Sequence, residues 1–384
     1  MKTNVFYVNG IIPVICATML ARIKFPGCFN VLVVENINVS IFPRIFLKNN
    51  NKAIIDLFLP LFNWDKVVKI ESSMLFVSLE FGLLIKLFPK LKGFRIFKSL
   101  KKTKLDVENA LKILKPQDEL FVSDNSYMWR FWYRGQCDVN FIEHGASTYK
   151  MKFVSSGYKS FLKRIIFAIN GYNYNVIPKS VFLTDACKSW KSATLQDNKE
   201  CSNIVSIDIS DHINYLFHIF EEGYKAKFKN EYQELLDLRK ILRGKDHCIY
   251  IPISSPSRIE SERYFSKQIK KVNVNNLFFV IKFHSRNGNR FDDFYKKYIN
   301  NVYFIKSPMN RSLPAEFLLY FLEDSRLFGT YSSAHLYSNW WLNRETYLVT
   351  ADDDEFNSLL LSEYEGVLKD FERFIDDCQF LGVR

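Results

Sequence analysis

The sequence has few of the residues that characterise linker-rich, disulfide-bonded or metal-binding proteins. Only 14 glycines and 11 prolines occur among 384 residues, which argues against long linkers, collagen-like repeats and disorder. The seven cysteines are scattered, without a CxxC pair or a metal-ligand spacing, and they predict reduced thiols in a cytosolic setting. The longest apolar run beyond the N-terminus, 74–88, contains Glu80 and Lys86, so we expect no membrane-spanning segment.

What the sequence does contain indicates a globular protein with two cores. Its hydrophobic content is 48% and its aromatic content 16%, and 384 residues are many for a single core. The N-terminus resembles a signal peptide, but Asn4, Asn9 and Gly10 interrupt its apolar residues. We therefore interpret 4–10 as a first strand that leads into a helix, not as a cleaved signal.

The net charge of +12 is concentrated in two basic stretches, 86–104 and 150–164. Solvated helix faces, contact with an anionic membrane surface and a polyanionic substrate all remain open as explanations. No helix-turn-helix, zinc-finger or RNP-type motif accompanies the charge. We therefore expect no nucleic-acid partner.

Runs of β-branched residues alternate with helical stretches along the whole chain. Strand candidates are 4–10, 30–36, 67–72, 119–125, 139–145, 180–185 and 203–209, then 247–254, 276–284, 302–306, 326–333 and 345–351. A helical bridge, 211–244, separates the two sets. The alternation predicts an α/β fold with two Rossmann-like domains that face each other across a cleft. We place the first domain with its bridge at 1–243 and the second at 244–384.

Residues that could carry chemistry stand where these strands end. Glu143 ends a strand in FIEHG, Lys282 and His284 end another in IKFHS, and Ser332 and Ser333 lead from a strand into a helix. Ligands of open α/β sheets bind at the carboxyl ends of the strands. Taken singly, each residue has an ordinary explanation, as a turn residue, a packed histidine or a helix cap. Their shared placement favours a site.

Together these residues fit the transfer of a group from a nucleotide-activated donor. Ser332, Ser333 and the N-terminus of their helix would hold a phosphate. His284 would donate a hydrogen bond or a proton to the departing phosphate oxygen. Glu143 would accept the proton of the attacking hydroxyl.

The motifs resemble, in their order, those of the bacterial GT-B sialyltransferases, which include capsular polysialyltransferases and lipooligosaccharide sialyltransferases. They are Glu143-His144-Gly145, Lys282-Phe283-His284, Pro314-Ala315-Glu316 and Ser332-Ser333. The family signatures are an acidic-acidic-glycine motif, a His-Pro motif and a Ser/Thr pair. Here His144 replaces the second acidic residue and Ser285 replaces the proline.

The resemblance implies a role for each matching residue. Glu143 would be the general base, His284 would contact the CMP phosphate, and Ser332 and Ser333 would bind that phosphate. Glu316 would accept a hydrogen bond from a ribose hydroxyl, and Lys282 would belong to the same nucleotide site. His144, Gly145 and Arg286 would contact the acceptor or support the residues that contact the substrates.

The same resemblance implies inverting transfer of sialic acid from CMP-sialic acid to a glycan hydroxyl. The product would belong to a bacterial capsule, lipooligosaccharide or O-antigen, and single and repeated addition both remain open. No metal or other cofactor would be needed, and the acidic run 352–355 is interpreted as a solvated loop and not as a metal-binding motif. The protein would be cytoplasmic and peripheral on the inner membrane, where its basic stretches suit an anionic acceptor.

Two alternatives stay open at this point. The same fold could use CMP-Kdo or a nucleoside diphosphate sugar as its donor. The chain could instead be a basic membrane-binding or nucleic-acid-binding protein without catalysis.

Overall fold

The structure is a computed structural model, and the chain divides into two compact units, Met1–Asp208 and Ile209–Arg384. The residues described are 2–38, 50–73, 95–123, 129–143, 176–184, 203–252, 262, 265–266, 277–283, 292–329, 333–344 and 346–348. Each unit contains its own sheet of parallel strands.

The first unit is built on a seven-stranded sheet in the order β3-β2-β1-β4-β5-β6-β7. Its strands are β1 (Thr3–Val8), β2 (Phe29–Asn38), β3 (Lys66–Ser73), β4 (Glu119–Ser123), β5 (Asp138–Ile142), β6 (Ser180–Leu183) and β7 (Asn203–Ser206). Its helices are α1 (Ile11–Lys24), α2 (Asn50–Phe58), α3 (Arg95–Leu111) and α4 (Trp129–Trp132). Every pair of neighbouring strands is parallel.

The centre of this sheet is apolar on both faces. Strand β1 is buried from Asn4 to Val8, and the ring of Phe6 stacks on that of Phe121 in β4, with centroids 4.6 Å apart. Helix α1 is buried continuously from Pro13 to Ala21. A strand covered on both faces has apolar side chains in succession, which explains the hydrophobic runs 5–8 in β1 and 31–34 in β2.

The second unit is built on a five-stranded sheet in the order β10-β9-β8-β11-β12. Its strands are β8 (His247–Ile251), β9 (Phe278–Ile281), β10 (Val302–Phe304), β11 (Arg326–Gly329) and β12 (Thr346–Leu348). Its helices are α5 (Ser210–Lys227), α6 (Lys229–Leu242), α7 (Asp292–Tyr298), α8 (Pro308–Ser312), α9 (Ala315–Phe321) and α10 (Ser333–Leu342). These strands are also parallel throughout.

The predicted α/β fold class with two Rossmann-like units is confirmed. The unit boundary differs from the predicted one, because the helical bridge packs on the second unit. Phe217 and Phe220 of α5 contact Phe317 of α9 edge to face, at centroid distances of 5.8 and 4.6 Å. The helices predicted at 257–271 and 355–379 lie largely or wholly outside the described residues.

Helix α6 is joined to the segment between β10 and α8 by one carboxylate. Glu234 accepts hydrogen bonds from the main-chain N–H groups of Lys306 and Ser307, at 2.6 and 3.0 Å. It also accepts from the Tyr303 hydroxyl and from Nδ2 of the buried Asn310, at 3.2 and 2.8 Å. Glu234 thus accepts hydrogen bonds from four donors, which fix the start of α8.

Neither basic stretch of the sequence is fully described. Helix α3 contains the end of the first stretch, where Lys102 is exposed. The second stretch, 150–164, lies outside the described residues. Among the helices in the described part of the chain, none has both the length and the apolarity that crossing a bilayer requires.

Candidate active site

Each sheet has one position where successive connections leave in opposite directions. In the first sheet it lies between β1 and β4, and in the second between β8 and β11. Open α/β sheets bind their ligands outside the carboxyl ends of the strands at such a position. A predicted site residue is therefore better placed to contact a ligand when its strand lies next to this position.

Glu143 follows β5 directly, one strand beyond this position in the first sheet. Its main-chain N–H continues the strand pairing by donating to the carbonyl of Phe182, at 3.0 Å. Its side chain is 0% exposed. The carboxylate oxygen Oε2 accepts two hydrogen bonds from Thr184, one from the main-chain N–H and one from Oγ1, each 2.6 Å long. The strand end therefore carries a carboxylate that a residue beyond the next strand holds in place.

The buried thiol of Cys16 in α1 interacts electrostatically with Glu143. Burial raises the pKa of Cys16 well above its ordinary value, and the negative charge of Glu143 raises this pKa further. The thiol is therefore protonated and neutral at physiological pH. Cys16 forms no disulfide bond in the described part of the chain.

Two further polar contacts lie near the carboxyl ends of the first sheet. The Asn9 N–H, after β1, donates to the hydroxyl of Ser123 at the end of β4, at 3.2 Å, and this contact joins the two strand ends. On β2, the fully buried carboxylate of Glu35 accepts a hydrogen bond from the Tyr7 hydroxyl, at 2.9 Å. Sequence reasoning identified neither contact, since each depends on which strands are neighbours.

Lys282 and Glu316 form a buried, electrostatically coupled pair in the second unit. Lys282 follows β9, its side chain is buried, and Nζ donates to the carbonyl of Arg311 at 3.3 Å. Burial lowers the pKa of Lys282 to about 8, although the negative charge of Glu316 opposes this shift. Burial raises the pKa of Glu316, while its own backbone hydrogen bond and the charge of Lys282 oppose the rise.

Gly329 ends β11 beside Ile251, the last residue of β8, at the second sheet's ligand-binding position. Its φ is +146°, and a Cβ at this residue would lie 2.3 Å from the carbonyl oxygen of Ile251. No side chain tolerates such a contact with a main-chain oxygen. The two strand ends can approach this closely only because position 329 has no side chain.

We expect Gly329→Ala to destabilise the protein by about 1–3 kcal/mol or more, through overpacking against backbone that cannot retract. Gly244→Ala is the matched control, because Gly244 also has a positive φ, +74°, but nothing within 4 Å of its Cβ position. Chemical denaturation of both variants separates the steric contact from the dihedral strain. Equal loss of stability in the two variants would show that the approach to Ile251 is unimportant.

Helix α10 begins at Ser333, where the sequence predicted the start of a helix. Helix α9, which carries Glu316, contacts α10. The remaining predicted residues lie outside the described part of the chain, and their roles stay predictions: Ser332, His284, His144, Gly145 and Arg286. The acidic run 352–355 also lies outside it.

The structure thus gives two groups of candidate residues, each at the carboxyl ends of a sheet. Glu143, joined by the unpredicted Thr184, lies in the first unit, and Lys282 and Glu316 lie in the second. The convergence of the two groups on one cleft stays a prediction. Within the described ranges, no three His, Cys, Asp or Glu side chains cluster as metal ligands would, and metal independence likewise stays a prediction.

A cavity of about 550 Å³ lies at the other end of the second sheet. Its lining comes from α6, from the turn that precedes β8 and from the turn that precedes β11, and includes Arg243, His247 and Glu323. The amino ends of parallel strands are not where such sheets bind nucleotides. This cavity is therefore not where a sheet of this kind would be expected to bind a nucleotide.

Comparison with known proteins gives structural likeness only. No family model matches the sequence, and no curated protein matches it. A UDP-GlcNAc 2-epimerase from Neisseria meningitidis is 10% identical, with a TM-score of 0.47 over 99% of this chain and 93% of its own. The glycosyltransferase SnogD from Streptomyces nogalater is 12% identical, with a TM-score of 0.44 over 99% and 93%.

An α/β-galactoside α-2,3-sialyltransferase from Photobacterium phosphoreum is 14% identical, with a TM-score of 0.43 over 96% of both chains. At such identities and with TM-scores below 0.5, none of these likenesses bears on the donor, the acceptor or the site residues of this chain.

Proposed function

We propose that this protein is a glycosyltransferase that transfers sialic acid from CMP-sialic acid to a glycan hydroxyl with inversion. The observation that carries the proposal is the Glu143 carboxylate, which is held by two hydrogen bonds of 2.6 Å at the carboxyl end of β5. A fixed carboxylate at this edge of a parallel sheet is suited to act as a general base. The order of the sequence motifs supports the choice of donor.

In the proposed reaction, Glu143 accepts the proton of the acceptor hydroxyl while the hydroxyl oxygen attacks the anomeric carbon of sialic acid. The bond from that carbon to the phosphate oxygen breaks, and CMP leaves with the bonding electrons. His284 stabilises the charge that develops on the leaving phosphate by donating a hydrogen bond or a proton. One carbon–oxygen bond forms and one breaks, so inversion follows from a single displacement.

The donor would be held by the second unit. Lys282 supplies a buried positive charge at the carboxyl end of β9, and a charge withdrawn from water interacts strongly with a phosphate. Glu316, coupled to Lys282, would accept a hydrogen bond from a ribose hydroxyl. Ser332, Ser333 and the first turn of α10 would bind the phosphate.

Glu143 is completely covered in this structure, so the acceptor must displace what covers it before proton transfer. Active sites that close on their substrate exclude water, which prevents hydrolysis of reactive species. The net charge of +12 supports an anionic acceptor, such as a capsular or lipooligosaccharide glycan at a membrane surface. Electrostatic attraction of this kind raises association rates and falls with salt.

A donor screen tests the proposal. We expect CMP release that depends on both CMP-sialic acid and an acceptor, with a product one or more sialic acid residues heavier by mass spectrometry. Oligosialyl and lactosyl acceptors should be tested side by side. If CMP is released only from CMP-Kdo, or UDP only from a UDP-sugar, the protein uses that donor in place of CMP-sialic acid. Salt-dependent nucleic-acid binding without turnover of any donor would contradict an enzymatic function.

A further inference from the structure

We propose that Thr184 positions the Glu143 carboxylate for proton transfer, an inference that rests on the proposed function. The two residues stand immediately beyond neighbouring parallel strands, Glu143 after β5 and Thr184 after β6. They are 41 residues apart in the sequence. Thr184 is itself buried, 4% exposed, so solvent does not compete for its hydroxyl group.

The main chain contributes the first of the two hydrogen bonds. Glu143 N–H donates to the Phe182 carbonyl, and in a regular parallel ladder the next bond would run from Thr184 N–H to the main-chain carbonyl of Glu143. Instead, this N–H donates to Oε2 of the Glu143 side chain. The carboxylate thus replaces a main-chain acceptor where the strands separate, and the sheet itself fixes its position.

The hydroxyl group contributes the second bond and determines the orientation of the carboxylate. A threonine hydroxyl has one proton, and here Oγ1 donates it to Oε2 at 2.6 Å, a length typical of bonds to a charged acceptor. Two donors on Oε2 use both of its lone pairs and fix the carboxylate plane.

Two substitutions at this position separate orientation from packing. Thr184→Val keeps the main-chain N–H and the β-branched shape but removes the hydroxyl donor. Thr184→Ser keeps the donor and removes only the methyl group. If Thr184 were important for packing alone, the serine variant would be the more damaging one.

We expect Thr184→Val to lower kcat by about 10- to 100-fold, the effect of one hydrogen bond to a charged group. The KM for CMP-sialic acid should not change, because Thr184 lies in the unit that does not bind the donor. Thr184→Ser should restore most of kcat. A valine variant with normal kcat, or a serine variant as impaired as the valine one, would overturn the inference.

A second measurement does not need turnover. Carboxyl-¹³C-labelled glutamate reports the ionisation of Glu143 by NMR, and the Glu143→Gln variant identifies its signal. Thr184→Val should move the titration midpoint to higher pH, because a lost donor destabilises the charged form. The charge of Glu143 acts on the buried Cys16 thiol of α1, and Cys16→Ala in both backgrounds removes this interaction. An unchanged midpoint contradicts the role of Thr184, whereas a wild-type protein inactive with every donor contradicts the proposed function.

Discussion

Glu143→Gln is expected to abolish sialyl transfer and to leave the fold intact. The amide cannot accept the proton of the acceptor hydroxyl, and the loss of a general base lowers rates by about 10²- to 10⁴-fold. The amide oxygen can still accept the two hydrogen bonds that Thr184 donates to Oε2. The ends of β5 and β6 should therefore stay paired, and the unfolding midpoint should remain close to that of the wild type.

Glu35→Gln is the matched control for this experiment. Glu35 is also a fully buried carboxylate of the first sheet, and it accepts a hydrogen bond from the Tyr7 hydroxyl. The substitution replaces an equally buried carboxylate with an amide, but on β2 and not beside β5. Initial rates of CMP release and thermal unfolding should be measured for both variants. Transfer retained by a folded Glu143→Gln protein would refute the assignment of the base.

The strand pattern was predictable because burial on both faces forces apolar residues into succession. The boundary between the units was not predictable in this way. Helices α5 and α6 are amphipathic, and nothing in their periodicity states which unit covers their apolar faces. The contacts of Phe217 and Phe220 with Phe317 decide the matter, and they join segments far apart in the sequence.

The candidate site, like the fold, was predictable only in part. Glu143 and Lys282 could be selected because each ends a strand, and both follow their strands in the structure. Thr184 could not, since its importance depends on the pairing of β5 with β6. Gly329 is significant only because β11 pairs with β8, and the burial that shifts the pKa of Lys282 requires the packed structure.

The affinity for the donor is expected to fall as the pH rises through about 8. Burial lowers the pKa of Lys282 to about 8, so the side chain is mostly protonated at neutral pH and loses its charge above that value. The donor phosphate then loses a cationic partner. Because kcat/KM reports the ionisation of the free enzyme, its profile should decline above about pH 8, with a rise in KM for CMP-sialic acid.

The loss of the Lys282 charge does not itself destabilise the fold, because the stability contributed by Lys282 changes in the opposite direction. Its pKa in the unfolded chain is about 10.4. Between the two pKa values the unfolded chain binds more protons than the folded protein, so this group's contribution to stability increases with pH. Below about pH 8 the folded protein bears the full cost of the buried charge. A loss of donor affinity together with unchanged or increased stability is the result expected if Lys282 is the titrating group, and the double variant below tests that assignment.

The double variant Lys282→Met/Glu316→Gln gives the most direct test, because it removes both charges and leaves neither buried alone. The KM for the donor should rise by about 10- to 100-fold at pH 7, the effect of one charge-assisted hydrogen bond, and the decline above pH 8 should disappear. Stability should not fall, since neutral replacements of buried ion pairs are often stabilising. Lys225→Met removes an exposed charge of the same unit and should change neither quantity. An unaltered donor KM in the double variant would place the nucleotide away from this pair, because no other effect of the substitutions could compensate for the lost charge at a phosphate.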